Sequence, residues 1–203
     1  MAPTPVRPIA APRVNSSHPF NFLGGRFSLG GTQVPYVSCL MSLTDAATFL
    51  KTPAEVSGWD DGEVELEALY QRQIDHKRVD TRILPYLREQ GETPRFFNSI
   101  TIAMVPAKDG RMVSYLENGL VAPDLPGFQP ECTLKTGPVA LGMYQPVANP
   151  VDFQLGHISW NIDQVNPIAI DGQHRLAAIK RFVLIAPDRV AGSEISVILI
   201  IPS

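Results

Sequence analysis

The sequence predicts a single mixed α/β (α+β) domain, with helices packed on a small mixed sheet, and three stretches carry that prediction. Residues 168–170 form a short apolar run, Asp171 to Arg175 are polar or permissive, and Leu176, Ile179 and Val183 then recur at helical spacing, which is a strand–tight turn–helix junction. In residues 153–161, Phe153, Leu155, His157 (or its neighbour Ile158) and Trp160 alternate as a half-buried strand does. Residues 194–201 place Ile195, Val197, Leu199 and Ile201 on one face and Ile198 and Ile200 on the other, the pattern of a central, covered strand. A chain of 203 residues is long enough to bury one core without staples.

Taken in order, residues 1–19 carry several prolines and small residues with no apolar period, and are expected to be a disordered arm before a domain over 20–203. The glycine pairs Gly24-Gly25 and Gly30-Gly31 are followed by no Lys-Ser/Thr, so they predict hairpin turns rather than a phosphate cradle. Residues 34–43 alternate loosely as a strand, and Thr44-Asp45 can cap a short helix to about Leu50. A helix over 64–75 would bury Leu66, Leu69, Tyr70 and Ile74 and leave Arg72 off that stripe. A second, over 77–90, carries Lys77, Arg78, Arg82 and Arg88 beside an apolar face of Val79, Ile83, Tyr86 and Leu87. Pro85 inside it removes a hydrogen bond and clashes with the preceding turn, at about 3 kcal/mol, so either Asp80 starts a fresh helix or the helix kinks. Gly91 ends it.

A buried strand follows near 99–105, and Asp109-Gly110 predicts a hairpin turn. Residues 117–150, rich in proline and glycine, form a long loop excursion, with a short strand of its own near 139–144 or as a mobile flap. The turn at 163–167 is expected to close a β-hairpin between residues 153–161 and 167–170, whose second arm delivers Asp171.

The chemistry concentrates at that delivery point. Asp171 stands where a helix N-cap belongs, and Gly172 to Arg175 fall in a first helical turn whose N–H groups lack intrahelical partners. Such a turn attracts an anion; Arg175 adds a bidentate fork and His174 a group that titrates near neutrality. On a helical wheel His174, Ala178 and Arg181 share a polar face opposite Leu176 and Val183, suited to line a cleft that Arg72 or Arg78 could also reach. The plain alternatives are a cap worth about 1 kcal/mol at Asp171, and a solvated face for the basic helix.

The net charge of −3 and pI near 5.8 argue against tight DNA binding by the whole surface, since DNA-binding domains are usually basic, though they allow a local basic patch. Cys39 and Cys132 have no metal-like spacing and are expected as free thiols. No basic–apolar–small leader pattern opens the chain, and the longest apolar run, residues 197–201, is far too short to span a bilayer. A cytoplasmic protein with no membrane partner is the expectation.

Asp171-Gly172-Gln173-His174-Arg175, followed by Leu176-Ala177-Ala178, resembles the signature of the DGQHR-domain family, which includes the DNA sulfur-modification protein DndB. A second match lies in Gln71-Arg72, Arg78-Val79, Ile83, Tyr86-Leu87 and Phe96-Phe97-Asn98-Ser99-Ile100, similar to that family's arginine-bearing helix and first core strand. Together the matches span roughly residues 20–201. The resemblance implies a ParB/sulfiredoxin-like fold and a DNA-modification or restriction context, with DNA, a nucleotide and other proteins of such a system as partners.

Three functions follow as expectations. The first is a DndB-like regulator or accessory subunit, with Arg72, Lys77, Arg78 and Arg82 as DNA-phosphate contacts. The second is a nucleotide hydrolase: Gly172, Gln173, His174, Arg175, Arg72 and Arg78 would hold a nucleoside triphosphate with Mg²⁺, and Asp171 and His174 would act catalytically. The third is an interaction module in which the motif only holds the fold. No resident metal site is expected.

Overall fold

The structure, a computed structural model, describes residues 17, 19–29, 32–56, 74–89, 97–108, 111–113, 132–135, 137–144 and 154–201. Arg72, and the helix expected over 64–75 apart from its last two residues, lie outside these. The mixed α+β character is as expected, but the sheet is not small. Among the described residues it has nine strands, β1 (Phe20–Leu29), β2 (Thr32–Ser42), β3 (Ile100–Lys108), β4 (Arg111–Met112), β5 (Cys132–Lys135), β6 (Val139–Tyr144), β7 (Gln154–Trp160), β8 (Val165–Asp171) and β9 (Glu194–Ile200). Their order is β4-β3-β9-β2-β1-β7-β6-β5, with β8 on β3. β3 runs parallel to β9, while the other described pairings are antiparallel.

β9 lies between β3 and β2, which is the central place its two apolar faces predict. Leu29 pairs with Thr32, and Gly30-Gly31, where a turn is predicted, lie outside the described residues. Gly24-Gly25 does not turn. Both residues sit inside β1, paired with Val37 and Tyr36. Lys108 likewise faces Arg111, and Asp109-Gly110 lie outside the described residues. Within the excursion, β6 pairs with both β5 and β7.

The predicted hairpin between β7 and β8 fails in an instructive way. Its tight turn is present: Val165 N–H donates to the Asn161 carbonyl at 3.0 Å. The strands do not pair. β7 lies between β1 and β6, and β8 runs against β3. The other edge of β8 is taken by Lys51, whose N–H donates to Pro167 O at 2.8 Å and whose carbonyl accepts from Ala169 N–H at 2.8 Å. In strand order β8 and β7 stand five spacings apart, about 24 Å in a flat sheet. A four-residue turn held by that hydrogen bond cannot cross such a distance, so the sheet rolls until these two ends meet.

One core fills the roll. Phe20 and Phe22 of β1, Val37 and Met41 of β2, Ile100, Ile102 and Met104 of β3, Ile158 and Trp160 of β7 and Val197 and Leu199 of β9 are all buried in it. Trp160 stacks on Phe20 at 5.5 Å and meets Phe49 edge-on. Cys39 is a free thiol in the same core, and burial pushes its pKa up to about 12. Ser17 is not part of a loose arm: its N–H donates to Trp160 O and its Oγ accepts from Trp160 N–H, at 2.9 and 3.1 Å.

Three helices cover the sheet among the described residues. α1 (Leu43–Phe49) is capped two positions earlier than Thr44 suggests, with Ser42 Oγ accepting from Asp45 N–H at 3.0 Å. α2 spans residues 76–88 and accommodates Pro85 by a change of hydrogen-bond register, with no fresh cap at Asp80. His76–Arg78 is a regular turn, Val79–Ile83 a wider π-turn, and Leu84–Arg88 regular again. The Leu84 N–H bonds Val79 O, five residues back, so the ladder changes register just before the residue that has no N–H to give. α3 (Gln173–Ile185) buries Leu176, Ala178, Ile179 and Phe182. No helix among the described residues is long and apolar enough to cross a membrane.

Candidate functional site

The predicted strand–turn–helix junction is present, but its details differ from a simple Asp cap. Asp171 is the last residue of β8, and Gly172 is the N-cap of α3, with φ of +81°. That left-handed conformation suits glycine. The pairing of β3 with β8 shifts register here: Thr101 faces Asp171, whereas Ile102 faces Ala169. One extra residue in β8 therefore bends the strand just before the turn.

The Asp171 carboxylate is spent on Arg175 rather than on the helix N–H groups. Arg175 Nη2 donates to Asp171 Oδ2 at 3.1 Å, while Arg175 Nη1 donates to the backbone carbonyls of Asn98 and Ser99. The Arg175 side chain is 19% exposed and that of Asp171 74%, so the arginine is the anchored partner and the aspartate its solvent-side clamp. Arg175 thus ties the entry of β3 to the β8–α3 turn. Three of its five N–H groups are used, which leaves part of the fork for a ligand.

The remaining motif residues divide. Gln173 is buried and does not face the solvent as a phosphate contact would. Ala178 is buried as well, which corrects the reading of His174, Ala178 and Arg181 as an open polar face. That face receives α2: His174 Nε2 accepts from Asp75 N–H at 2.9 Å, and Arg181 pairs with Asp80 at 2.7 Å. Asp75 in turn caps α2, its Oδ1 accepting from Arg78 N–H at 2.9 Å. His174 therefore holds a helix end and is not among the described residues that line the cleft.

The cleft itself lies between α2, the entry of β3 and the start of α3. Its volume is about 450 Å³, and Arg78, Arg82, Ile83, Tyr86, Phe97, Asn98 and Arg175 line it. Arg78 and Arg82 line it beside Arg175, whereas the cleft expected for Arg78 was one lined by His174; Lys77 is exposed but does not line the cleft. Neither Arg78 nor Arg82 has a side-chain partner among the described residues, and no acidic side chain stands among the described lining residues. Tyr86 and Phe97 form an edge-to-face pair, centroids 5.2 Å apart, on the wall. Sequence reasoning counted Tyr86 and Phe97 as packing only. Their signal was an aromatic on each of two elements that also carry the second family-like match.

No group of three or more His, Cys, Asp or Glu side chains placed to hold a metal occurs among the described residues. Asp171, the acid expected to orient Mg²⁺, is exposed and engaged by Arg175. Comparison with known protein families, with characterised proteins and with solved structures yields no match.

Proposed function

We propose that this chain is a phosphate-binding regulator or accessory subunit of a DNA-modification or restriction system, with a ParB/sulfiredoxin-like, DGQHR-type domain. It would hold DNA or nucleotide phosphates in the cleft between α2 and α3. The observation that carries the reading is the lining of that cleft: Arg78 and Arg82 without side-chain partners among the described residues, beside the anchored Arg175. Three guanidinium groups at one cleft strongly favour an anion, and their planar forks suit phosphate. The local patch also reconciles a net charge of −3 with a polyanionic partner. The DNA-modification context and partner proteins of such a system come from the resemblance of residues 171–178, and the left-handed Gly172 opening α3 supports the motif's role as a rigid turn.

A nucleotide hydrolase is the alternative, and less supports it. Asp171 would have to leave Arg175 to orient a metal or a water, and His174 is occupied as an acceptor from α2. The test is anisotropy titration of a short fluorescent DNA duplex, and separately of ATP with and without Mg²⁺, over a salt series. Duplex binding with a log–log salt slope of about −0.9 per phosphate contacted supports the proposal. Turnover of ATP would favour the hydrolase, and absence of binding to either probe overturns both.

A further inference from the structure

We infer that His174 is a positioning residue that sets the phosphate affinity of the cleft by holding the first turn of α2, and that its protonation releases that turn. The inference rests on the phosphate reading of the cleft, and adds regulation of it. Its basis is one chain of contacts. His174 Nε2 accepts the Asp75 N–H at 2.9 Å, and the same Asp75 caps α2 through Arg78 N–H at 2.9 Å. Arg78 follows within that turn and Arg82 one turn on, both lining the cleft.

The other anchors of α2 lie further along. Val79 and Leu84 are buried, and Asp80 pairs with Arg181 at 2.7 Å. Among the described residues, the first turn is exposed apart from its junction with His174. Loss of that junction therefore frays residues 75–78 while leaving the rest of the helix seated.

The bond requires a lone pair on Nε2. A protonated imidazole carries N–H on both ring nitrogens, so two donors would then face each other. Among the described residues, the charged and titratable groups on the elements that meet at the ring are Asp171 and Arg175 on its own turn, Asp75, His76 and Arg78 at the start of α2, and the Asp80–Arg181 pair beyond. His174 is also the second residue of α3, where the helix dipole disfavours a cation. The consequence has an unusual sign. Protonating a histidine near an anion site ordinarily tightens anion binding; here it loosens the arginines, and binding weakens as the imidazole takes up its proton on acidification.

The experiment follows amide exchange, corrected for intrinsic rates, and duplex affinity from pH 8 to 5 in wild type, His174→Gln and His174→Leu. Glutamine offers an acceptor oxygen at similar reach without titrating. Wild type should lose protection at residues 75–78 and about three- to tenfold in affinity as pH falls, the range of one neutral hydrogen bond. His174→Gln should keep both and lose the pH dependence, and His174→Leu should show the loosened state at every pH. Wild-type protection that is flat with pH, or equal in His174→Leu, overturns the inference. Protection that behaves as stated in a protein binding neither duplex nor ATP overturns the phosphate reading instead, and leaves His174 as the strut of α2.

Discussion

The guanidinium of Arg175 lies directly over the α-carbon of Gly172: a methyl group built there would stand 3.0 Å from Nη2 and 3.1 Å from Cζ. Gly172 also has φ of +81°, a region that costs other residues about 1–2 kcal/mol. Gly172→Ala therefore meets backbone strain and a crowded, anchored arginine together. The expected result is a loss of about 2 kcal/mol, read as a lower melting temperature. A variant that melts with wild type would show that the turn relaxes freely.

Arg175 and Asp171 form one ion pair, but their substitutions should differ sharply. Arg175→Ala strands the Asn98 and Ser99 carbonyls as well as the carboxylate, and the side chain it removes is mostly buried. A loss of about 2 kcal/mol follows, or roughly 5 °C in a chain of this size. Asp171→Asn alters only the exposed partner and should cost well under 1 kcal/mol. Calorimetry on the two variants measures this. Equal costs would contradict the anchoring described.

Glu55 gives a pH dependence whose sign is fixed by its contacts. Burial pushes its pKa up, but the bonds from Lys180 Nζ at 2.8 Å and from Thr52 N–H and Oγ1 at 2.7 and 2.8 Å outweigh this and hold it below the ordinary value. A carboxylate depressed in the folded state stabilises the fold above its unfolded pKa of about 4.3, and that stabilisation is lost as pH falls through the lower folded value. Denaturant melts of wild type and Glu55→Gln should differ most near neutrality and converge below about pH 4. A gap that widens on acidification would reverse the assignment.

What could be read from the sequence was what local pattern encodes. The two apolar faces of β9, the alternation of β7, the strand–turn–helix junction and the arginines of α2 all announce themselves within a dozen residues. Pairing did not. Residues 161–164 make a turn between β7 and β8, yet β7 pairs with β1 and β6, while β8 pairs with β3, more than 50 residues before it. Lys51 on the edge of β8 has no sequence signal, because its contribution is backbone N–H and C=O. The same holds for the site. Asn98 and Ser99 bind Arg175 through carbonyls that any residue would supply, and the His174 bond to Asp75 spans 99 positions. Side chains can be weighed from a sequence; the backbone groups they meet depend on the fold.

The cleft can be separated from general electrostatics by two charge reversals on neighbouring turns. Arg82 lines it, whereas Lys77, exposed on the same helix, does not. Both are surface residues, so Arg82→Glu and Lys77→Glu should each leave the melting temperature within about 1 °C. Non-specific attraction depends on summed charge and would weaken equally in both variants. A direct phosphate contact is worth more: Arg82→Glu should cost about tenfold or more in duplex affinity and lower the salt slope by about one phosphate. It should do so for every DNA sequence alike, since backbone contacts carry no base information. Lys77→Glu should change affinity about two- to threefold, through screened long-range charge alone. If the two variants bind equally well, the anion does not sit between Arg78, Arg82 and Arg175, and the cleft is not the site.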